Sequence, residues 1–191
     1  SALTILSNTP TTSIGWQYGT YSIEEYFKAL GDATRNIANA CLLVASRSIL
    51  SVNEESQTRG LAGVDYESVG TTPLSELFRQ ADIFVCSYST VVYEALLYRL
   101  PVILAAFAPM AKMMADFHFS HFEKAGALLI AHSPEELKNM LQKLSADSGA
   151  RVRMSEAGWE FMRKNFSFDG HASERIARLI RNWQRTDRML D

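Results

Sequence analysis

Five short runs along this chain carry almost nothing but apolar residues: ALTIL (2–6), SILSV (48–52), DIFVC (82–86), PVILAA (101–106) and ALLIA (127–131). Unbroken runs of this length, rather than strict alternation, mark strands buried on both faces. Between them apolar positions recur at helical spacing. The pattern predicts helices over 22–45, 73–81, 90–99 and 118–126, then three more over 133–146, 150–166 and 172–185. The segment 54–72 is the least apolar and the richest in glycine, and reads as loops around one short strand near Ser68 and Val69.

Several helix ends are chemically marked. Ser22 precedes Glu25 by the spacing of a capping box. Ser133, Pro134, Glu135 and Glu136 together offer a cap, a first-turn proline and two acids suited to the helix dipole. Gly126 follows a short helix, and Pro101 blocks the helix that reaches Arg99. Strand alternating with helix implies an α/β fold: a Rossmann-like parallel sheet with helices on both faces, joined by right-handed crossovers. Residues 150–191 read as a helical C-terminal tail of the same domain, and residues 1–191 as a single domain.

Composition narrows this only slightly. With 47% hydrophobic and 21% charged residues and a formal charge of −2, the chain has the make-up of an ordinary globular domain. It lacks the basic stripe expected of a nucleic-acid binder. Cys41 and Cys86 sit in apolar settings and read as reduced core thiols of a reducing compartment. No segment reaches the about 20 apolar residues of a membrane span, and the first residues do not read as the charged-then-apolar pattern of a signal peptide. It begins Ser-Ala without a methionine, so we expect it to be part of a longer two-domain protein.

Open parallel sheets bind ligands at the carboxyl ends of their strands, near the switch in strand order. The residues placed there are Ser7, Asn8 and Thr9; Asn53, Glu54 and Glu55; Ser87, Tyr88, Ser89 and Thr90; residues 107–112; and His132 with Ser133. The third group is the richest in chemistry. Hydroxyls of Ser87, Ser89 and Thr90 converge with free backbone N–H groups where a strand turns into a helix, an arrangement suited to phosphate. Glu94 follows Thr90 by one helical turn on the same face. A phosphate would repel that carboxylate, but a ribose diol would donate to it. A solvent-facing glutamate is the plainer alternative, and Ser89 would cap a helix in any protein.

The stretch ADIFVCSYSTVVYEALLYRLPVI (81–103) resembles the strand–helix–strand signature of the C-terminal, nucleotide-binding domain of GT-B glycosyltransferases. It looks most like the teichoic-acid glycerophosphotransferases and capsule polysaccharide transferases, with a related form in UDP-GlcNAc 2-epimerases. The resemblance implies that Ser87, Ser89 and Thr90 meet the donor's phosphates and Glu94 holds its ribose. It further implies that backbone around Val69, Gly70, Thr71 and Thr72 faces the base. The chain departs from the family pattern at Asn53, Glu54 and Glu55, where a basic or His-Pro element is common. It departs again at YRLP (98–101), which lacks the usual glycine before the proline.

Lys112 is a candidate to neutralise a diphosphate, and His118 and Asn8 are candidate donor contacts; solvation and packing are the alternatives. His118 and His121 share a spacing that metal ligands use, but no third ligand is near in sequence, so no metal is expected. Met110, Met113 and Met114 read as pliable core or a domain-contact surface, and Trp159 and Trp183 as helix-packing anchors. The resemblance implies a UDP- or CDP-activated sugar or polyol-phosphate donor and no cofactor. It places the acceptor site and the catalytic residues in an N-terminal domain of the same protein. The expected location is the cytoplasm, with peripheral attachment of the full-length protein to the inner membrane face. A degenerate assembly module and half of a sugar-nucleotide epimerase are the other readings.

Overall fold

Leu3–Asn8 (β1), Ala40–Ala45 (β2), Tyr66–Ser68 (β3), Ile83–Cys86 (β4), Val102–Ala105 (β5) and Leu129–Ala131 (β6) form one sheet in the order β3-β2-β1-β4-β5-β6. Every pairing is parallel. The computed structural model describes residues 2–8, 23–45, 59–70, 72–107 and 109–187. Seven helices among them are Ile23–Thr34 (α1), Leu74–Phe78 (α2), Val91–Leu97 (α3), Pro109–Lys124 (α4), Pro134–Ala146 (α5), Ser148–Asn165 (α6) and Ala172–Asp187 (α7). This is the Rossmann-like α/β fold that the alternation of runs predicts.

All four residues of β4 and all four of β5 are buried, as expected of inner strands covered on both faces. On one face α1 packs against α5. On the other, α3 meets α6, and the rings of Tyr93, Phe119, Phe122 and Phe161 knit α3, α4 and α6 together. Gly158 lets α6 approach α3 closely: a Cβ there would stand 2.8 Å from Leu96 Cδ2 and 3.2 Å from the Ala127 carbonyl. Asp82 closes the opposite end of the β1–β4 seam. Its carboxylate accepts the Thr4 N–H at 2.8 Å, while its own N–H donates to the Thr4 carbonyl.

The expected helix over 22–45 does not run its full length. It stops at Thr34, whose hydroxyl donates back to the Leu30 carbonyl at 3.0 Å. Asn39 then takes a φ of 57°, and ACLLVA becomes β2 rather than a last helical turn. A continuous apolar run does not distinguish a buried helix from a buried strand by periodicity; here it pairs with β1 and β3. The run 48–52, expected as the second strand, lies outside the described residues, as does Ser22. Other boundaries move less. β1 runs on to Asn8, and α4 starts at Pro109, so it takes in Lys112 and reaches His118 and His121 as one helix.

Among the described residues Ser133 and Asp147 cap the helices they precede. Ser133 Oγ accepts the Glu136 N–H at 3.1 Å, and the Glu136 carboxylate reaches back past the cap to accept the His132 N–H at 2.7 Å. Asp147 caps α6 by accepting the Ala150 N–H, which holds its carboxyl below the usual range.

Candidate functional site

Because the strands run parallel, their carboxyl ends share one edge of the sheet. The chain builds outward from β1 through β2 to β3, and outward from β4 through β5 to β6, so the order reverses between β1 and β4. Asn8 ends β1, and Ser87 directly follows β4 on the other side of that reversal. Beneath the seam Ser7 is fully buried, its hydroxyl 2.8 Å from Tyr26 Oη, which donates to the Val85 carbonyl at 3.2 Å. Ser7 thus fixes α1 to both strands and is not offered to a ligand. Thr9 lies outside the described residues.

Ser87, Tyr88 and Ser89 are half-buried and Thr90 is exposed. Ser89 Oγ accepts the Val91 N–H at 3.3 Å. Thr90 stands at the N-cap of α3 with helical φ and ψ, and its side chain makes no capping hydrogen bond. The capping role that sequence assigned to Ser89 is therefore met from one residue further back. Glu94 sits exposed one turn into α3, while Val91, Val92, Ala95 and Leu96 of the same helix are buried. The acid is the solvent-facing member of an otherwise core-facing helix, on the turn after the hydroxyls.

Gly70 lies at the carboxyl end of β3 with φ 46°, and the Thr72 N–H closes a turn onto the Val69 carbonyl at 3.0 Å. Val69 in turn donates to the Val44 carbonyl. The turn sits at the outer strand of the sheet and is open to solvent at Gly70; Thr71 lies outside the described residues. Asn53, Glu54 and Glu55 also lie outside them.

Lys112 is exposed on α4. His118, on the same helix, is half-buried with its ring centroid 5.4 Å from that of Tyr88. The fold therefore brings His118 to the hydroxyl cluster, through a tyrosine that sequence reasoning placed after the strand without giving it a role. His121 turns instead toward Phe161. His132, just beyond β6, has a buried Nδ1 with no hydrogen-bond partner among the described residues, and its Nε2 is 3.9 Å from Asp116. Burial pushes the Cys86 thiol far up, which removes it as a nucleophile at neutral pH.

Among the described residues, no three His, Cys, Asp or Glu side chains group to hold a metal ion, and no helix is long and apolar enough to cross a membrane. A cavity of about 350 Å³ lined by Leu3, Asn39, Asp82 and Arg151 lies at the opposite edge of the sheet, away from every residue predicted for the site.

A six-stranded parallel sheet in this order, with hydroxyl-bearing residues beside the β1–β4 reversal, is the Rossmann-like architecture from which each half of a GT-B fold is built. The family model described as "Glycosyl transferases group 1" matches residues 61–161, just over half of the chain. The chain belongs to that family. Its fold matches the C-terminal domain of a group 1 glycosyl transferase, LpcC, from Francisella tularensis, at 14% identity and a TM-score of 0.62 over 87% of each chain. It matches WaaG, a glycosyltransferase involved in lipopolysaccharide biosynthesis, at 19% identity and a TM-score of 0.62, covering 94% of this chain and 47% of WaaG. UDP-GlcNAc 2-epimerase from Neisseria meningitidis, solved with UDP-GlcNAc bound, matches at 10% identity and a TM-score of 0.62, covering 82% of this chain and 39% of the enzyme. The chain spans about half the length of several solved structures it matches. No curated protein matches the sequence.

Proposed function

We propose that this chain is the donor-binding half of a glycosyltransferase that uses a UDP- or CDP-activated donor in surface polysaccharide or glycan synthesis. The observation that carries the reading is the cluster at the β1–β4 reversal: Ser87, Ser89 and Thr90 at the start of α3, with Glu94 one turn further on. In this reading the hydroxyls and backbone N–H groups receive the donor's phosphates and the Glu94 carboxylate accepts from the ribose hydroxyls. Gly70, Thr71 and Thr72 face the base, and Asn8 and Lys112 flank the phosphates. A neighbour of the same fold holds UDP-GlcNAc, which supports a nucleotide sugar as the ligand class.

The transfer breaks the bond between the sugar's anomeric carbon and the nucleotide's terminal phosphate oxygen. An acceptor hydroxyl forms the new bond, and its proton passes to a base. The cluster's contribution is electrostatic, stabilising negative charge that grows on the departing diphosphate. The base and the acceptor site belong to an N-terminal domain of the same protein, through which the whole also meets the inner face of a membrane. Two features support a further domain. The chain covers 46% and 47% of two solved structures of its fold. The apolar stripe of α7, Ile176, Leu179, Ile180 and Trp183, is more than half exposed at each residue.

The chain alone is expected to bind nucleotide without turnover. Calorimetric titration with UDP-, CDP- and GDP-sugars tests this: binding by one of them in the micromolar to millimolar range is expected. Absence of any heat at millimolar ligand would sink the donor-domain reading.

A further inference from the structure

The cavity of about 350 Å³ at the amino edge of the sheet takes no part in the donor reading. Four segments meet around it: the turn after α1, the start of β1, the residue before β4 and the junction of α5 with α6. Both α1, which stops at Thr34, and α5, which stops at Ala146, approach it by their carboxyl ends. That end of a helix favours positive charge.

The charged lining is one acid and one base, both half-buried. Asp82 Oδ2 accepts the Thr4 N–H at 2.8 Å, while Oδ1 has no hydrogen-bond partner among the described residues. Arg151 Nη1 donates to the Leu144 carbonyl at 2.5 Å and the Ser145 carbonyl at 3.2 Å, and its Nη2 and Nε have no such partner. The two groups line one space, yet no ion pair among the described residues joins them. Asn36 and Asn39, exposed at the rim, add amides that donate as well as accept. A lone cation would answer Asp82 and be repelled by Arg151, and a lone anion the reverse. A ligand that carries both charges answers both.

We infer that this cavity is a second ligand site, separate from the donor edge, and that it takes a small zwitterion of the α-amino-acid class. The ligand's ammonium lies on Asp82 Oδ1, where the two helix ends reinforce it, and its carboxylate on the free edge of the Arg151 guanidinium. The fold holds both partners in place without a ligand: Asp82 through β1, and Arg151 through carbonyls of the last turn of α5. A cavity of this volume suits a small molecule. Asp82 stands at the opposite end of β4 from Ser87, so the two sites do not compete for one ligand.

Calorimetric titration of the full 191-residue chain with alanine, leucine and glutamine tests the inference, each beside its N-acetyl and its carboxamide derivative. At least one free amino acid is expected to bind with a Kd of about 10 mM or tighter, and both of its blocked forms about tenfold or more weaker. Asp82→Asn, which keeps an acceptor for the Thr4 N–H, should weaken the free amino acid by a similar factor. Arg151→Gln, which keeps a donor for the α5 carbonyls, should do the same. The blocked ligands probe the unsubstituted chain, so the test stands even where a variant folds poorly. Absence of heat from all three amino acids at about 10 mM overturns the proposal. A blocked form that binds as tightly as the free amino acid overturns the zwitterion class, and binding unchanged in both variants overturns the placement.

Discussion

Arg99 holds a φ of 58°, the left-handed region that an L side chain enters at a cost of about 1–2 kcal/mol. It is the position where the resembling family places glycine. Its guanidinium lies 4.9 Å from the centroid of the Trp159 ring, a stack that returns about 0.5–1 kcal/mol. Strain therefore slightly outweighs the stack. Arg99→Gly should stabilise the chain by about 0.5 kcal/mol, whereas Arg99→Ala, which keeps the strain and loses the stack, should cost about as much. Urea unfolding of the two variants measures both signs. The missing glycine was legible in YRLP, but its meaning was not: only the backbone shows that the arginine adopts the glycine's conformation. Locally encoded features read well. Ser133 caps its helix through the Glu136 N–H because both partners lie within one helical turn. Tyr88 and His118 were each visible as residues, yet their pairing depends on how α4 packs against the loop that follows β4, and no spacing in sequence encodes that.

Among the elements, alternation of apolar runs and helical segments sufficed for the fold class, while individual boundaries slipped where two elements share one composition. β2 is the clearest instance. Its residues extend the apolar pattern of α1, and the break between them is carried by Thr34 and Asn39, polar residues that a helix tolerates. The packing of α6 on α3 was legible only as a helix of its own, because it depends on Gly158, a residue that alone signals nothing. Its absent side chain admits Leu96. Gly158→Ala should therefore cost about 1–3 kcal/mol, since Leu96 can shift its Cδ2 but the Ala127 carbonyl on the same contact is backbone. A comparably sized loss in urea midpoint is expected. An unchanged midpoint would mean that α6 and α3 are not in firm contact, and would undo the placement of α3's outer face.

Across the whole molecule, strand order converts a list of polar residues into a site. Asn8 and Ser87 come from distant parts of the chain and meet at one edge only because β1 and β4 are neighbours. The same order separates Gly70 at the outer strand from His118 on α4, which sets a direction along which an extended ligand would lie. Trp183 departs from its expected role: it is 71% exposed and anchors nothing among the described residues. In the proposed complex a ribonucleotide lies across this edge with its ribose on Glu94. Affinities for UDP and 2′-deoxy-UDP, or the matching pair for whichever base binds, on the unsubstituted chain and on Glu94→Ala probe that placement. Loss of the 2′-hydroxyl should weaken binding to the unsubstituted chain about tenfold, as expected for a hydrogen bond to a charged acceptor, and should leave Glu94→Ala unaffected. The same ratio in both proteins would contradict a ribose seated on Glu94.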